Sequence, residues 1–180
     1  RAAGPERRDN QLRNRDQDWW PGRTGLPKPM IHLEISSADQ MEDFGKRLAG
    51  QLQAGDLVLL SGPLGAGKTT MTRGIGEGLG AQGTVQSPTF VLARTHRTDK
   101  GPRLTHVDAY RLSSAVELDD LDIDFENSIV VIEWARDFLS GYATDYLEIE
   151  IDRSSNDETR KLTITPHGTR WQGVDLATGN

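Results

Sequence analysis

The chain has 180 residues, a formal net charge of -6 and no cysteine, which is enough for one domain around one hydrophobic core and too little for a second catalytic domain. The missing thiols exclude disulfides, thiolate zinc sites and thiol chemistry and fit a reducing compartment; the histidines His32, His96, His106 and His167 show no metal-ligand spacing. No apolar run approaches the roughly 20 residues a bilayer requires, and Arg7-Arg8 is not followed by a hydrophobic segment, so the sequence reads as a cytoplasmic protein with no membrane association.

Residues 1-29 are polar, Arg- and Asn-rich and broken by Pro5, Pro21, Pro27 and Pro29, with almost no periodic apolar residues apart from Trp19 and Trp20. They read as a disordered or misassigned N-terminal tail, with Met30 as the biological start; a docking motif at the two tryptophans is the alternative. This tail holds seven basic and four acidic side chains, leaving 14 basic against 23 acidic in the remainder. So acidic a domain repels bulk nucleic acid, and any contact with RNA is expected through a partner.

The domain is expected over 30-166, followed by a C-terminal tail over 167-180. Ile31, Leu33 and Ile35 alternate as a strand, and Ser37 with Gln40 forms a capping box opening a helix whose face carries Met41, Phe44, Leu48 and Leu52. Gly55 breaks that pattern, Leu57 to Leu60 read as a buried strand, and a helix is expected from about Lys68 to Leu79. Phe90 to Ala93 and Leu104 to Val107 look like two strands joined by a turn at Asp99-Lys100-Gly101-Pro102. Ser114 and Glu117 suggest a second capping box before a short acidic helix, and Ile129 to Ile132 is the strongest buried strand. Leu147 to Ile151 and Arg160 to Ile164 alternate around Ser154 to Asp157 as a hairpin at one sheet edge. The order implies an α/β fold with one central mixed sheet.

Between the second strand and the second helix lies Gly62-Pro63-Leu64-Gly65-Ala66-Gly67-Lys68-Thr69, followed by Thr70. In the pattern G-x-x-x-x-G-K-[ST], glycines let backbone N-H groups curl around phosphate oxygens, and the helix N-terminus adds a favourable dipole. Lys68 would reach the β and γ phosphates and Thr69 would supply a hydroxyl to Mg²⁺. This makes the fold P-loop NTPase-like, a three-layer sandwich with a mainly parallel mixed sheet.

A Mg-nucleotide site needs a carboxylate at the end of a neighbouring strand. Glu133 directly follows Ile129 to Ile132, and Asp108 follows Leu104 to Val107 in the run His106-Val107-Asp108-Ala109-Tyr110-Arg111. Each could instead cap a helix or face solvent. Six acids within Glu117 to Glu126 lack the glycine turn and ligand spacing of a calcium loop and read as a solvated face over a packed apolar one.

With these residues in hand, the chain resembles the TsaE (YjeE) family of bacterial ATPases, which serve in making threonylcarbamoyladenosine on transfer RNA. The resemblance runs from about Ile31 to Ile164 and rests on four matches in order: GPLGAGKTT at Gly62 to Thr70, SPTF at Ser87 to Phe90, HVDAYR at His106 to Arg111, and IEW at Ile132 to Trp134. It implies ATP and Mg²⁺ as ligands, Thr69 and Glu133 as metal ligands, Asp108 as an essential acid near the γ-phosphate, and Ser87 to Phe90, including Thr89, as a switch loop. It also sets Trp134 beside the site and, more loosely, Ser37 and Arg160 on the adenine side. The implied partners are TsaB-like and TsaD-like proteins, with tRNA reached only through that complex. Pro63 departs from the family pattern and removes one backbone N-H from the loop.

The resulting expectation is Mg-ATP hydrolysis, slow in isolation, with Lys68, Asp108 and Glu133 as the catalytic residues. Arg111 could supply a cation in cis or form a surface ion pair. A small-molecule or nucleoside kinase, and a nucleotide-gated binding module, are the alternatives.

Overall fold

The computed structural model describes residues 30-99, 101-135, 139, 141-153 and 158-177; the N-terminal tail, Lys100 of the first expected turn and the turn at 154-157 lie outside them. In chain order the elements are β1 (Ile31–Ile35), α1 (Ala38–Ala49), β2 (Leu57–Ser61), α2 (Lys68–Leu79), β3 (Ala93–His96), β4 (Arg103–Asp108), α3 (Ala115–Asp119), β5 (Ser128–Glu133), β6 (Tyr146–Asp152) and β7 (Arg160–His167). They build one seven-stranded sheet of order β1-β7-β6-β2-β5-β4-β3. Parallel pairing holds its centre, β6 with β2, β2 with β5 and β5 with β4, while antiparallel pairs flank it on both sides. The β6-β7 pair, expected as a hairpin at one sheet edge, lies inside it: β1 pairs with β7 and forms the edge, because the exposed backbone groups of β7 take up the first strand as a partner.

Period-2 alternation sends the two sets of strand side chains to opposite faces, each with its own core. On one face Val58, Leu60, Leu104, Ile129, Val131 and Ile149 pack beneath α1 and α2; on the other Leu59, Val107, Val130 and Ile132 pack with Leu118 of α3, Leu139 and Tyr142. These layers give the three-layer sandwich. Burying each large aliphatic side chain contributes about 1.5–3 kcal/mol, and the central strands β2 and β5 are buried on both faces as their continuous apolar runs require.

The first capping signal is realised: Ser37 Oγ accepts from the Gln40 amide at 3.2 Å, and Gln40 Oε1 accepts from the Ser36 amide at 2.8 Å. At α3, Ser114 occupies the N-cap position in extended conformation but makes no side-chain cap bond, while Glu117 accepts from the Ser113 amide.

Two further expectations change. Phe90 to Leu92 do not belong to a strand: the Pro88 carbonyl accepts from the amides of Val91 and Leu92, closing a turn that puts Leu92 at φ 65, and β3 starts only at Ala93. Phe90 is left 93% exposed, so its apolar side chain had no sheet face to bury. The chain after β7 is also packed where a tail was expected from 167. Trp171 and Leu176 are buried in the α1-α2 core, and Arg170 Nε and Nη2 clasp the buried Asp56 carboxylate at 2.8 and 2.7 Å.

Candidate functional site

The loop after β2 is shaped by close backbone approach. Gly62 has φ 146, and a Cβ there would lie 2.4 Å from the Ile151 carbonyl oxygen, so only glycine can take the loop past β6. Gly67, at φ 113, is the N-cap of α2 and offers no side-chain cap, which leaves the first-turn N-H groups available to an anion. Pro63, for its part, contributes a carbonyl that accepts from the Ala66 amide at 3.1 Å.

Lys68 is held inside this loop. Its Nζ donates to the Gly62 and Pro63 carbonyls at 2.8 and 3.0 Å and lies 3.6 Å from the centroid of the Trp134 ring. Burial lowers its pKa from that of an ordinary lysine, against the opposing pull of the Glu133 and Asp108 carboxylates. Trp134 adopts φ 68, a left-handed conformation uncommon for a bulky residue, and its amide donates to the Leu60 carbonyl at 3.0 Å. That kink turns the chain at the end of β5 and sets the indole against Lys68, with Tyr110 edge-on at 5.3 Å.

Parallel registry brings the carboxylates to the same edge. Asp108 at the end of β4 pairs with Glu133 at the end of β5, which pairs with Leu60 one residue before the end of β2. Both acids are buried, so neither is a solvent-facing strand end. Glu133 Oε1 accepts from Thr69 Oγ1 at 3.0 Å and from His106 Nε2 at 2.7 Å. Asp108 Oδ2 accepts from Thr89 Oγ1 at 2.8 Å and, more weakly, from Ser87 Oγ at 3.3 Å, while its Oδ1 takes the Tyr110 amide at 3.0 Å. Arg111 Nη2 donates to the Thr89 carbonyl. The segment from Ser87 to Thr89 is thus tied to Asp108 and Arg111.

Leu64, Gly65, Gly67 to Thr70, Ser87, Thr89, Asp108, Glu133 and Trp134 line a cleft of about 370 Å³, within the size range of small-molecule sites. Ser37 and Arg160, from α1 and β7, meet across a second hollow of about 150 Å³, which also takes in Ala66 and Glu158 and shares Gly65, Gly67 and Thr70 with the first. An extended anion with a planar end group could lie with its charge over the loop and its other end between Ser37 and Arg160. The Thr69 hydroxyl and Glu133 carboxylate form an oxygen donor pair suited to Mg²⁺, which takes one or two protein ligands and completes its shell with phosphate oxygens and water. Among the described residues no group of three or more His, Cys, Asp or Glu could hold a metal on its own, and no helix is long and apolar enough to cross a membrane.

The expected nucleotide, metal and catalytic residues therefore line one of two adjoining hollows or, for Gly62 and Pro63, hold the Lys68 ammonium, whereas Pro88 and Phe90 of the expected switch loop and Arg111 line neither. Sequence reasoning gave no role to His106, Arg153 or Glu158. Arg153 approaches the loop from the end of β6, its Nη1 3.5 Å from the Leu64 carbonyl oxygen. The signal for His106 was present: it stands two residues before Asp108 on the same strand, hence on the same sheet face.

Three comparisons bear on this geometry. The sequence model described as threonylcarbamoyl adenosine biosynthesis protein TsaE matches residues 35–162. The chain is 51% identical over 144 residues to the tRNA threonylcarbamoyladenosine biosynthesis protein TsaE of Streptomyces coelicolor, covering 76% of this chain and 97% of that protein. It is 35% identical over 137 residues to the Bacillus subtilis protein of the same name, covering 74% and 84%. The crystal structure of Bacillus subtilis YdiB superposes with a TM-score of 0.68 at 29% identity, over 82% of this chain and 93% of that one.

Proposed function

The chain belongs to the TsaE family, and from that premise we propose that it is a Mg²⁺-dependent ATPase that serves threonylcarbamoyladenosine formation on tRNA by acting on a complex of TsaB-like and TsaD-like proteins. The observation that supports this reading is the convergence of Lys68, Thr69, Glu133 and Asp108 on one cleft at the carboxyl ends of three parallel strands.

In this reading Lys68 exchanges the Gly62 and Pro63 carbonyls for β- and γ-phosphate oxygens, keeping its ammonium paired throughout. The α2 amides cradle the phosphates, and Ser37 and Arg160 flank the base. Thr69 and Glu133 would hold Mg²⁺, which when bound neutralises charge on the phosphates. Asp108 accepts a hydrogen bond from the attacking water and orients it, after yielding its bonds to Ser87 and Thr89. Hydrolysis is slow in isolation because the cleft opens to solvent, and a partner that closes it raises the rate.

Hydrolysis in ¹⁸O-labelled water tests this directly. The label should enter inorganic phosphate, and the TsaB-like and TsaD-like pair should increase its release. Transfer of the γ-phosphate to an added nucleoside or small-molecule acceptor would make the protein a kinase. Partner binding driven by a non-hydrolysable nucleotide, with full function in Asp108→Asn, would make it a nucleotide-gated binding module.

A further inference from the structure

His106 is fully buried within β4, between Thr105 and Val107, and faces the same side of the sheet as Leu104 and Asp108. Its Nε2 lies 2.7 Å from Glu133 Oε1, the oxygen that also accepts from Thr69. A carboxylate only accepts, so the hydrogen in that bond belongs to Nε2. The other ring nitrogen, Nδ1, is buried with no partner among the described residues. An apolar side chain would fill this place without stranding a nitrogen, as Leu104 does two residues earlier. What the imidazole adds is the bond to Glu133.

We propose that His106 is a positioning residue: its Nε2-H fixes the rotation of the Glu133 carboxylate so that the acid meets the metal in one orientation. The inference rests on the reading of Glu133 as a magnesium ligand. Thr69 cannot do this alone, because its hydroxyl is itself assigned to the metal and would leave Oε1 when the metal binds. His106 then remains as the side chain holding the acid. Its complete burial makes the hold stiff, since a ring enclosed in a close-packed interior has few rotamers open to it.

The test uses the full chain with a non-hydrolysable ATP analogue and Mn²⁺, reading free Mn²⁺ by electron paramagnetic resonance and analogue affinity in EDTA by calorimetry. Asn and Gln are both polar and near histidine in size, but only the Gln amide reaches the place of Nε2, so the pair keeps the test open if His106→Ala fails to fold. In His106→Asn, Mn²⁺ affinity for the protein-nucleotide complex should fall about tenfold, with metal-free analogue affinity within about twofold of wild type, and His106→Gln should restore the metal affinity. Wild-type Mn²⁺ affinity in His106→Asn together with a clear loss in Glu133→Ala would overturn the positioning role and leave the metal reading standing. Unchanged Mn²⁺ affinity in Glu133→Ala would overturn both.

Discussion

Lys68 shows how much a single side chain can carry. Burial disfavours its charged form while Glu133 and Asp108 favour it, and burial prevails, so the free protein loses this ammonium at lower pH than an ordinary lysine would. Phosphate binding needs the charged form. Nucleotide affinity should therefore begin to decline with rising pH before the usual lysine range is reached, whereas in Lys68→Arg, whose guanidinium stays charged, calorimetric titrations should show no such decline. For Asp108 the expectation is a split: Asp108→Asn keeps the side chain's shape and should leave nucleotide affinity within a few-fold while single-turnover hydrolysis falls about a hundredfold. Equal losses in both would make Asp108 a binding residue. The acids themselves were legible because each directly follows a run with strand character and so stands at its carboxyl end. The bonds that organise them were not, since His106 meets Glu133 across 27 positions and Thr69 across 64, and nothing local encodes such pairings.

At the scale of elements, α2 is an unlikely helix on propensity alone, with glycines at 74, 76 and 78, each costing about 1 kcal/mol relative to alanine. The offset comes from its neighbour. A Cβ at Gly74 would lie 2.0 Å from the Glu42 carbonyl oxygen of α1, and one at Gly45 would lie 2.3 Å from the Met71 carbonyl oxygen of α2. The two helices meet backbone to backbone, which holds the start of α2, and so Lys68 and Thr69, against the sheet. Gly74→Val should push them apart and destabilise the protein by about 2 kcal/mol or more in urea unfolding; an unchanged midpoint would show that the helices separate freely. The position of α1 could be read from the sequence because capping and period are local signals, and that of α2 because the glycine-rich loop ends where a helix must begin. Phe90 to Leu92 misled for the converse reason: three apolar residues in a row carry strand propensity, but Pro88 closes a turn over them, and turn geometry prevails over propensity.

Across the whole molecule, the fold class followed from the sequence because alternation, buried runs and tight turns all pointed to a mixed sheet with helices on both sides. Strand order did not, since no local signal says that β6 inserts beside β2 or that β1 pairs with β7. Nor did the packing of the C-terminal segment, where Trp171 and Leu176 are too widely spaced to announce an element. That segment closes the structure from behind the site: Arg170 pairs with Asp56, the residue before β2, and also donates to the Gln51 carbonyl at 2.8 Å. Arg170→Ala leaves the buried Asp56 carboxylate without its counter-charge, held only by the Gln53 amide at 2.8 Å, at the base of the strand that carries the phosphate loop. It should cost about 3 kcal/mol in thermal or urea unfolding while leaving nucleotide affinity within about twofold in the fraction that remains folded. A stability change under about 0.5 kcal/mol would place the pair among ordinary surface contacts.

The central claim is that the phosphate loop and Glu133 together hydrolyse Mg-ATP, and phosphate release under saturating ATP tests it most directly, with the wild-type chain, Lys68→Ala and Glu133→Ala each measured alone and with the TsaB-like and TsaD-like pair. Slow wild-type release that rises on adding the pair, and falls at least tenfold in both variants, is the predicted result; release that is undiminished in both variants would contradict it.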